Sequence, residues 1–211
     1  MKKTFTTNSD SRLTAYTLAA AASAAMASSS SAEIIYSGLQ NISIGQFFSQ
    51  NLNLDGDAYN DILLKNYVFG GGNYQGAYVN FAPGKLVGFT SGFGYVTKLS
   101  LGSTIGPATA TGPFQASLAY GANNPNAQFN NATDAYIGLG FSSAPNFYYG
   151  WIRVDIDNAA GTFLVKDWAY EDTGAPIAAG VVPEPSSLGL LALGAAGLGY
   201  YRNRRQTVSG K

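Results

Sequence analysis

Short apolar segments recur through the middle of the chain, and clusters of glycine, asparagine and proline separate them. Most segments are rich in isoleucine, valine, tyrosine, phenylalanine and threonine, the residues that suit a pleated, half-buried strand. Residues 33–181 show no sustained 3.6-residue apolar period, so no long amphipathic helix is predicted there. The pattern predicts about ten strands, at 33–37, 42–48, 61–67, 77–81, 86–90, 95–101, 115–120, 135–141, 148–156 and 162–170. Many short strands with frequent turns indicate an all-β fold, a single β-sandwich or jelly-roll-like domain.

The clearest hairpin lies near the end of this domain. Within 151–157, isoleucine or valine stands at every second position, which predicts a half-buried strand. A turn is predicted at 158–161. The alternation beyond the turn assigns Phe163 and Val165 to one face of the second strand and Trp168 to the other.

Two further stretches are predicted to be loops. Residues 70–76 are rich in glycine, and residues 123–131 are polar and rich in asparagine. A glycine-rich loop can cradle phosphate, but this one lacks the G-x-x-x-x-G-K-[ST] pattern and a βαβ context. The loop is therefore not expected to bind a nucleotide.

The start of the chain carries an apolar segment unlike the strands. Two lysines and Arg12 precede an alanine-rich stretch at 13–27, and small residues stand at 25–27 and 30–32. This order is typical of a secretory signal peptide, so residues 1–32 are predicted to be removed on export. An N-terminal membrane helix is the alternative, although threonine and serine make the stretch polar for a membrane span.

The C-terminal segment has three parts in a fixed order. These are Val182, Pro183, Glu184 and Pro185, then an uncharged apolar run at 188–201, then Arg202, Arg204 and Arg205. Two prolines exclude helix and central strand, so the first part should be extended and exposed. The apolar run predicts a C-terminal transmembrane helix that is short for a permanent span. The arginines after it should stay on the cytoplasmic side.

This segment resembles the PEP-CTERM sorting signal of Gram-negative bacterial surface proteins. The resemblance covers 182–205 and divides the chain into a signal peptide at 1–32, a β-rich passenger domain at 33–181 and the sorting signal. It implies that an exosortase, a membrane protease-transpeptidase, processes the protein while the protein is transiently held in the inner membrane. It also implies export to the cell surface or extracellular matrix. An ordinary C-terminal membrane anchor is the alternative.

The composition narrows the chemistry of the passenger domain. The chain has no cysteine and no histidine, which excludes disulfides, thiol chemistry, the usual general base and most zinc sites. Residues 33–181 hold five basic and ten acidic residues, a net charge of −5, so the domain is not expected to bind nucleic acid. Across the hairpin, Arg153 and Lys166 are expected to face Asp155 or Asp167, in pairs worth only ~0.2–1 kcal/mol each if exposed.

One acidic loop is a candidate metal site. Residues 53–61 read Asn-Leu-Asp-Gly-Asp-Ala-Tyr-Asn-Asp and resemble the D-x-D-G-D-G-x-x-D calcium loop of FG-GAP-type repeats. Calcium takes six to eight oxygen ligands, which closely spaced carboxylates supply. The candidate ligands are the side chains of Asn53, Asp55, Asp57 and Asp61 and the backbone carbonyl of Tyr59. The alternative is an Asp-Gly turn in which these side chains only cap the backbone.

Three functions are open to such a domain. The resemblance and the missing catalytic residues favour a non-catalytic surface or extracellular-matrix protein. The alternative is a carbohydrate-binding, lectin-like module of the exopolysaccharide layer, in which Trp151, Trp168 and tyrosines stack on sugar rings. Buried rings would instead favour a structural role. A glycosidase would need two carboxylates, and Asp155 and Asp157 lie on one strand face ~6.6–6.8 Å apart.

Overall fold

Strands make up nearly all of the regular structure in residues 33–183, the part of the chain that the computed structural model describes, and the all-β prediction is confirmed. A short 3-10 helix at Gly121–Asn123 is the only helical element of this part. The strands are β1 (Ile34–Tyr36), β2 (Ile42–Ser43), β3 (Phe48–Leu52), β4 (Ile62–Phe69), β5 (Gly72–Val79), β6 (Lys85–Leu86), β7 (Gly88–Ser91), β8 (Phe93–Val96), β9 (Thr104–Ile105), β10 (Gln115–Ala119), β11 (Asn131–Ser143), β12 (Asn146–Asp157), β13 (Thr162–Glu171) and β14 (Ile177–Ala178).

The strands form two large sheets and one small one. In the six-stranded sheet A, β1, β13, β12, β11 and β6 are neighbours in that order, and β2 also pairs with β13. The six-stranded sheet B has the order β3, β4, β5, β10, β8 and β7. Strands β9 and β14 form a separate antiparallel pair. Neighbouring strands are antiparallel throughout, except that β10 and β8 run parallel.

The main apolar core lies between sheets A and B. Alternate side chains of β4 and β12 are fully buried in it, among them Ile62, Leu64, Ile152 and Val154. Burying a side chain of this size stabilises the fold by ~1.5–3 kcal/mol relative to leaving it exposed. The alternation predicted for 151–157 is confirmed, because a period of two places every second residue on the inner face.

A second apolar cluster covers the opposite face of sheet A. There Trp151 and Tyr136 pack with Ile105 of β9 and Ile177 of β14. The ring of Trp151 is buried, and it meets the ring of Tyr136 edge-on with centroids 5.3 Å apart. Over part of its length β12 is therefore apolar on both faces, which explains the nearly continuous apolar run at 147–152.

A β-bulge in β13 changes which residues face the main core. Strands β12 and β13 slip in register beside Arg153, which leaves Lys166 as an extra residue on β13. One extra residue reverses the in–out alternation beyond it. Trp168 therefore packs against the main core together with Phe163 and Val165, and its predicted position on the opposite face is wrong.

The two predicted loops have different outcomes. Within 70–76, a tight turn takes up the first two residues and β5 begins at Gly72, so the prediction of a glycine loop there is wrong. Gly72 has a φ of 119°, a value that glycine adopts readily and other residues rarely do. Residues 124–130 are irregular, which confirms most of the loop predicted at 123–131.

Buried amide side chains join the two sheets near the β12–β13 turn. Gln75 Nε2 donates to Asn66 Oδ1 at 2.8 Å, and Gln75 Oε1 accepts from Asn158 Nδ2 at 2.7 Å. Asn66 Nδ2 donates to the carbonyls of Ile44 and Gly161, at 2.7 and 2.9 Å. An unsatisfied buried polar group costs ~1–3 kcal/mol. This amide network therefore holds β4 and β5 of sheet B against the hairpin of sheet A.

The targeting segments predicted at the two ends fall largely outside this fold. The predicted signal peptide at 1–32 and the predicted transmembrane helix at 188–201 lie beyond the described residues. Among residues 33–183, none of the helical structure is long and apolar enough to span a membrane.

Candidate functional site

The described residues end just inside the predicted sorting signal. The last strand, β14, pairs with β9, and the backbone carbonyl of Val181 accepts a hydrogen bond from Trp151 Nε1 at 3.3 Å. Val182 and Pro183 follow and are exposed. The contacts of the folded domain thus reach to Val181, directly before the predicted signal. The remaining predicted signal residues lie outside the described residues: Glu184, Pro185, Arg202, Arg204 and Arg205.

The loop between β3 and β4 carries the predicted calcium ligands, and hydrogen bonds within the loop order their side chains. Asn53 Oδ1 accepts from the Gly56 N–H at 2.7 Å. Asp55 Oδ1 accepts from the Asp57 N–H at 3.1 Å, and Asp57 Oδ1 accepts from the Tyr59 N–H at 2.6 Å. Asn53 Nδ2 donates to the Asp57 carbonyl at 2.6 Å. One oxygen of Asp55 and one oxygen of Asp57 therefore cap the turn.

Asp61 is the buried carboxylate of this loop. Its side chain is 2% exposed, and its Oδ2 accepts a hydrogen bond from the Leu54 N–H at 2.7 Å. Burial raises the pKa of Asp61 from its ordinary value of 3.8 to about 7, against the opposing effect of the Leu54 bond. The negative charges of Asp55 and Asp57 raise this pKa further. The loop thus concentrates negative charge that has no basic partner among the described residues.

Asp55 is a second carboxylate of this loop that lacks, among the described residues, a partner for one of its oxygens. Its Oδ2 is buried and has no hydrogen-bond partner within residues 33–183. A buried polar atom without a partner is costly, and an ion is one way to satisfy it. In this part of the chain no three histidine, cysteine, aspartate or glutamate side chains are grouped closely enough to hold a metal by themselves. A calcium site here would therefore also need the Asn53 side chain and the Tyr59 carbonyl.

The two tryptophans predicted to stack on sugar rings have structural positions. Trp151 lies beneath the β9–β14 pair and is 1% exposed. Trp168 is half-buried against the main core, and its Nε1 donates to the carbonyl of Leu54 at 3.3 Å. Neither ring is an open platform on the surface, which favours the structural alternative for these two residues.

Charged side chains form an ion-pair network on the outer face of sheet A. Lys166 Nζ lies 2.9 Å from Asp155 Oδ2 and 2.6 Å from Asp134 Oδ1. Arg153 Nε donates to Asp167 Oδ1 at 2.9 Å, so both cross-strand pairs expected from the sequence are present. The hydrogen bond from Lys166 lowers the pKa of Asp134.

The carboxylates considered for a glycosidase each have a partner in the fold. Asp155 is held by Lys166 and also accepts a hydrogen bond from the Asp134 N–H at 2.7 Å. Asp157 caps the β12–β13 turn by accepting from the Ala160 N–H at 3.1 Å. These contacts explain both carboxylates as structural groups of the hairpin.

An aromatic groove on the outer face of sheet B was not predicted from the sequence. We define the aromatic groove by its five rings, Phe69, Tyr74, Phe93, Phe114 and Tyr120. It has a volume of about 550 Å³. Three of the rings are strongly exposed, with Phe69 at 51%, Phe93 at 63% and Phe114 at 50%.

A signal for this groove is present in β4. Tyr67 and Phe69 stand two and four residues after Lys65, so a period of two places them on the same, solvent-facing side as the lysine. Leu64 occupies the alternate, buried side. Aromatic residues more often fill a core, so this pattern alone did not lead to the prediction of an exposed groove.

Comparison with known proteins identifies one segment of the chain. The family model of the PEP-CTERM protein-sorting motif matches residues 181–205, which confirms the resemblance seen in the sequence. The motif implies export and processing by an exosortase. No curated protein and no solved structure matches the chain.

Proposed function

From the PEP-CTERM protein-sorting motif at 181–205, we propose that this chain is an exported, non-catalytic protein of the cell surface or extracellular matrix. The observation that carries the proposal is the position of the motif, which begins where the contacts of the folded domain end. The lack of histidine and cysteine supports a role without catalysis, because the commonest general base and thiol nucleophile are missing.

The exposed start of the motif suits recognition by a processing enzyme. Val182 and Pro183 are exposed, so a membrane enzyme can reach them without unfolding the domain. Proline fixes φ and lacks an N–H donor, so Pro183 and Pro185 favour an extended backbone that an enzyme cleft can bind. The arginines beyond the apolar run would hold the C-terminus on the cytoplasmic side during processing.

Replacing Pro183, Glu184 and Pro185 by alanine tests the sorting assignment. We expect the variant to stay at the inner membrane with its tail attached, as measured by fractionation and intact mass. The control is Pro125→Ala, which removes an exposed proline from the irregular segment at 124–130 and should leave delivery unchanged. A triple variant that reached the surface with the wild-type mature mass would mean that the segment is a simple anchor or a degraded end.

A second candidate function is binding of carbohydrate in the exopolysaccharide layer. The aromatic groove favours it, because exposed rings on a sheet face can stack on sugars, whereas Trp151 and Trp168 cannot. Co-sedimentation of the mature protein with exopolysaccharide from the producing cells tests it. Recovery of all protein in the supernatant would leave only the structural matrix role.

We also propose that the loop at 53–61 binds calcium, supported by the unpartnered Asp55 Oδ2 and the buried Asp61. Calcium should raise the melting temperature and chelation should lower it, because only the folded loop gathers the ligands. Asp55→Ala and Asp57→Ala should abolish the difference. The matched control is Asp157→Ala, which removes an acidic turn cap from a different turn. Equal melting curves with and without calcium would leave the turn interpretation.

A further inference from the structure

The aromatic groove is held in shape by contacts among its own rings. The ring centroids of Tyr74 and Tyr120 lie 5.6 Å apart at 90°, and Phe69 lies 5.7 Å from Tyr74 and 6.1 Å from Tyr120. Tyr120 meets the other two rings edge-on, an arrangement that is favourable beyond the area the rings bury. One wall of the groove is therefore ordered before any ligand arrives.

Backbone and amide contacts fix the same wall. A side chain at Gly76 would bring its Cβ within 2.4 Å of the Tyr74 hydroxyl oxygen, so the Tyr74 ring can occupy its place only above a glycine. Asn123 Nδ2 donates to the carbonyl of Gly71 at 2.6 Å, which ties the segment after Tyr120 to the β4–β5 hairpin. A preorganised site loses less conformational entropy on binding.

The groove combines apolar faces with neutral polar groups. Besides the rings, it is lined by Gln115, Ser117, Asn123 and Asn124, and no charged residue contributes to the lining. Asn124 Nδ2 donates to Ser117 Oγ at 2.8 Å, so two of these groups are fixed relative to each other. The volume of about 550 Å³ lies within the ~300–1,000 Å³ typical of small-ligand sites.

We propose that the aromatic groove binds a neutral polysaccharide chain, a proposal that rests on export of the protein to where such polymers lie. A sugar ring has an apolar C–H face, which packs on an aromatic ring, and a rim of hydroxyl groups, which bonds to neutral amides and hydroxyls. A nucleic acid or an anionic polysaccharide would need basic groups, and the lining has none. The net charge of −5 over residues 33–181 also repels polyanions.

Affinity electrophoresis of the full-length protein tests the proposal. The protein is run in a polyoxyethylene detergent, which presents no sugar, through gels containing hydroxyethylcellulose, galactomannan, dextran or alginate, or no polymer. At least one of the three neutral polymers should retard the protein, and alginate should not. Failure of all three neutral polymers, or retardation by alginate alone, would overturn the proposal.

Three variants place the binding in the groove. Phe69→Ala and Tyr120→Ala should each weaken binding about tenfold, which corresponds to ~1.4 kcal/mol. Tyr120→Phe keeps the ring and should retain most of the affinity. The control Phe48→Ala removes a 68% exposed ring from the edge strand β3 that does not line the groove, and should bind as the wild type does.

Further outcomes separate this proposal from its competitors. Binding that survived both alanine variants would place the glycan elsewhere. If Phe69→Ala instead converted a dimer into a monomer on gel filtration and left retardation unchanged, the groove would be an interface with a second copy. Sorting is scored separately by mature mass, so a protein that is delivered correctly but fails to bind overturns the groove proposal alone.

Discussion

The outer faces of the two sheets carry similar residues in opposite environments. On sheet A, Trp151 and Tyr136 lie beneath the β9–β14 pair and are 1% and 8% exposed. On sheet B, Phe93 and Phe114 remain 63% and 50% exposed. The same kind of side chain is therefore part of a core on one sheet and available for contact on the other. Whether an aromatic ring contributes to stability or is available to bind a ligand therefore depends on whether other elements cover it.

Removing the buried indole gives the largest expected effect on this comparison. Trp151→Ala should lower the free energy of unfolding by ~3–5 kcal/mol, because it leaves a cavity under β9 and β14. It also removes the hydrogen bond to Val181. Urea denaturation of the exported protein measures the loss, with Trp151→Phe as a milder control. A loss below ~1 kcal/mol would mean that the cover collapses onto the smaller side chain.

Two buried carboxylates also have opposite environments, and this difference should appear in how the stability of the protein depends on pH. Asp167 is paired with Arg153, whereas Asp61 has no basic partner among the described residues and has its pKa raised to about 7. Between about pH 4 and 7 the folded protein keeps a proton on Asp61 that the unfolded chain releases, so stability falls as pH rises. The fall is at most about 4 kcal/mol, at ~1.36 kcal/mol per unit.

Unfolding in chelator at pH 5 and pH 8 measures the larger part of this fall, which lies between pH 5 and 7. Asp61→Asn should flatten the profile, because the amide does not titrate. Asp157→Asn changes an exposed carboxylate and is the control. A wild-type profile that rose from pH 5 to pH 8 would show that Asp61 ionises normally in the folded domain.

The amide network tests how strongly the two sheets depend on each other. Gln75→Ala should cost ~1–3 kcal/mol, because Asn66 Oδ1 and Asn158 Nδ2 lose a partner while buried. Gln50→Ala is the matched control, since its exposed amide hydrogen bond goes only to the neighbouring Asn51 carbonyl. Equal stability of the two variants would indicate that water replaces Gln75 in the network.

Removing an exposed ring of sheet B should have the smallest effect on the free energy of unfolding. Phe93→Ala should change the free energy of unfolding by no more than ~0.5 kcal/mol, because the ring is mostly in solvent. The same variant should weaken retardation by neutral polysaccharide. Thermal unfolding and affinity electrophoresis on one preparation separate the two effects. A large loss of stability would show that sheet B relies on its outer rings as sheet A does.

Much of the fold could be predicted from local sequence patterns. The alternation of Ile152, Val154 and Ile156 predicted a strand with one buried face, because period two is a property of neighbouring residues. The sorting motif was also readable, since its prolines, apolar run and arginines act through local chemistry. The Arg153 and Lys166 pairings followed from the same hairpin.

Features that depend on distant chain segments were not predictable. The extra residue at Lys166 is set by pairing with β12, and it moved Trp168 to the other face. The burial of Trp151 depends on β9 and β14, which come from separate parts of the sequence. The aromatic groove needed the neighbouring positions of β4, β5, β8 and β10, and no single strand contains that information.

The contacts around Val181 determine which part of the fold would bear a pulling force on the C-terminus first. Tension on the tail would reach the Val181–Trp151 hydrogen bond first and then the two-residue β9–β14 pair. The long strands within sheets A and B are paired over many more residues, so these short contacts would yield before the main core is strained. A tethered copy could therefore lengthen at its attachment point under flow while keeping both large sheets folded.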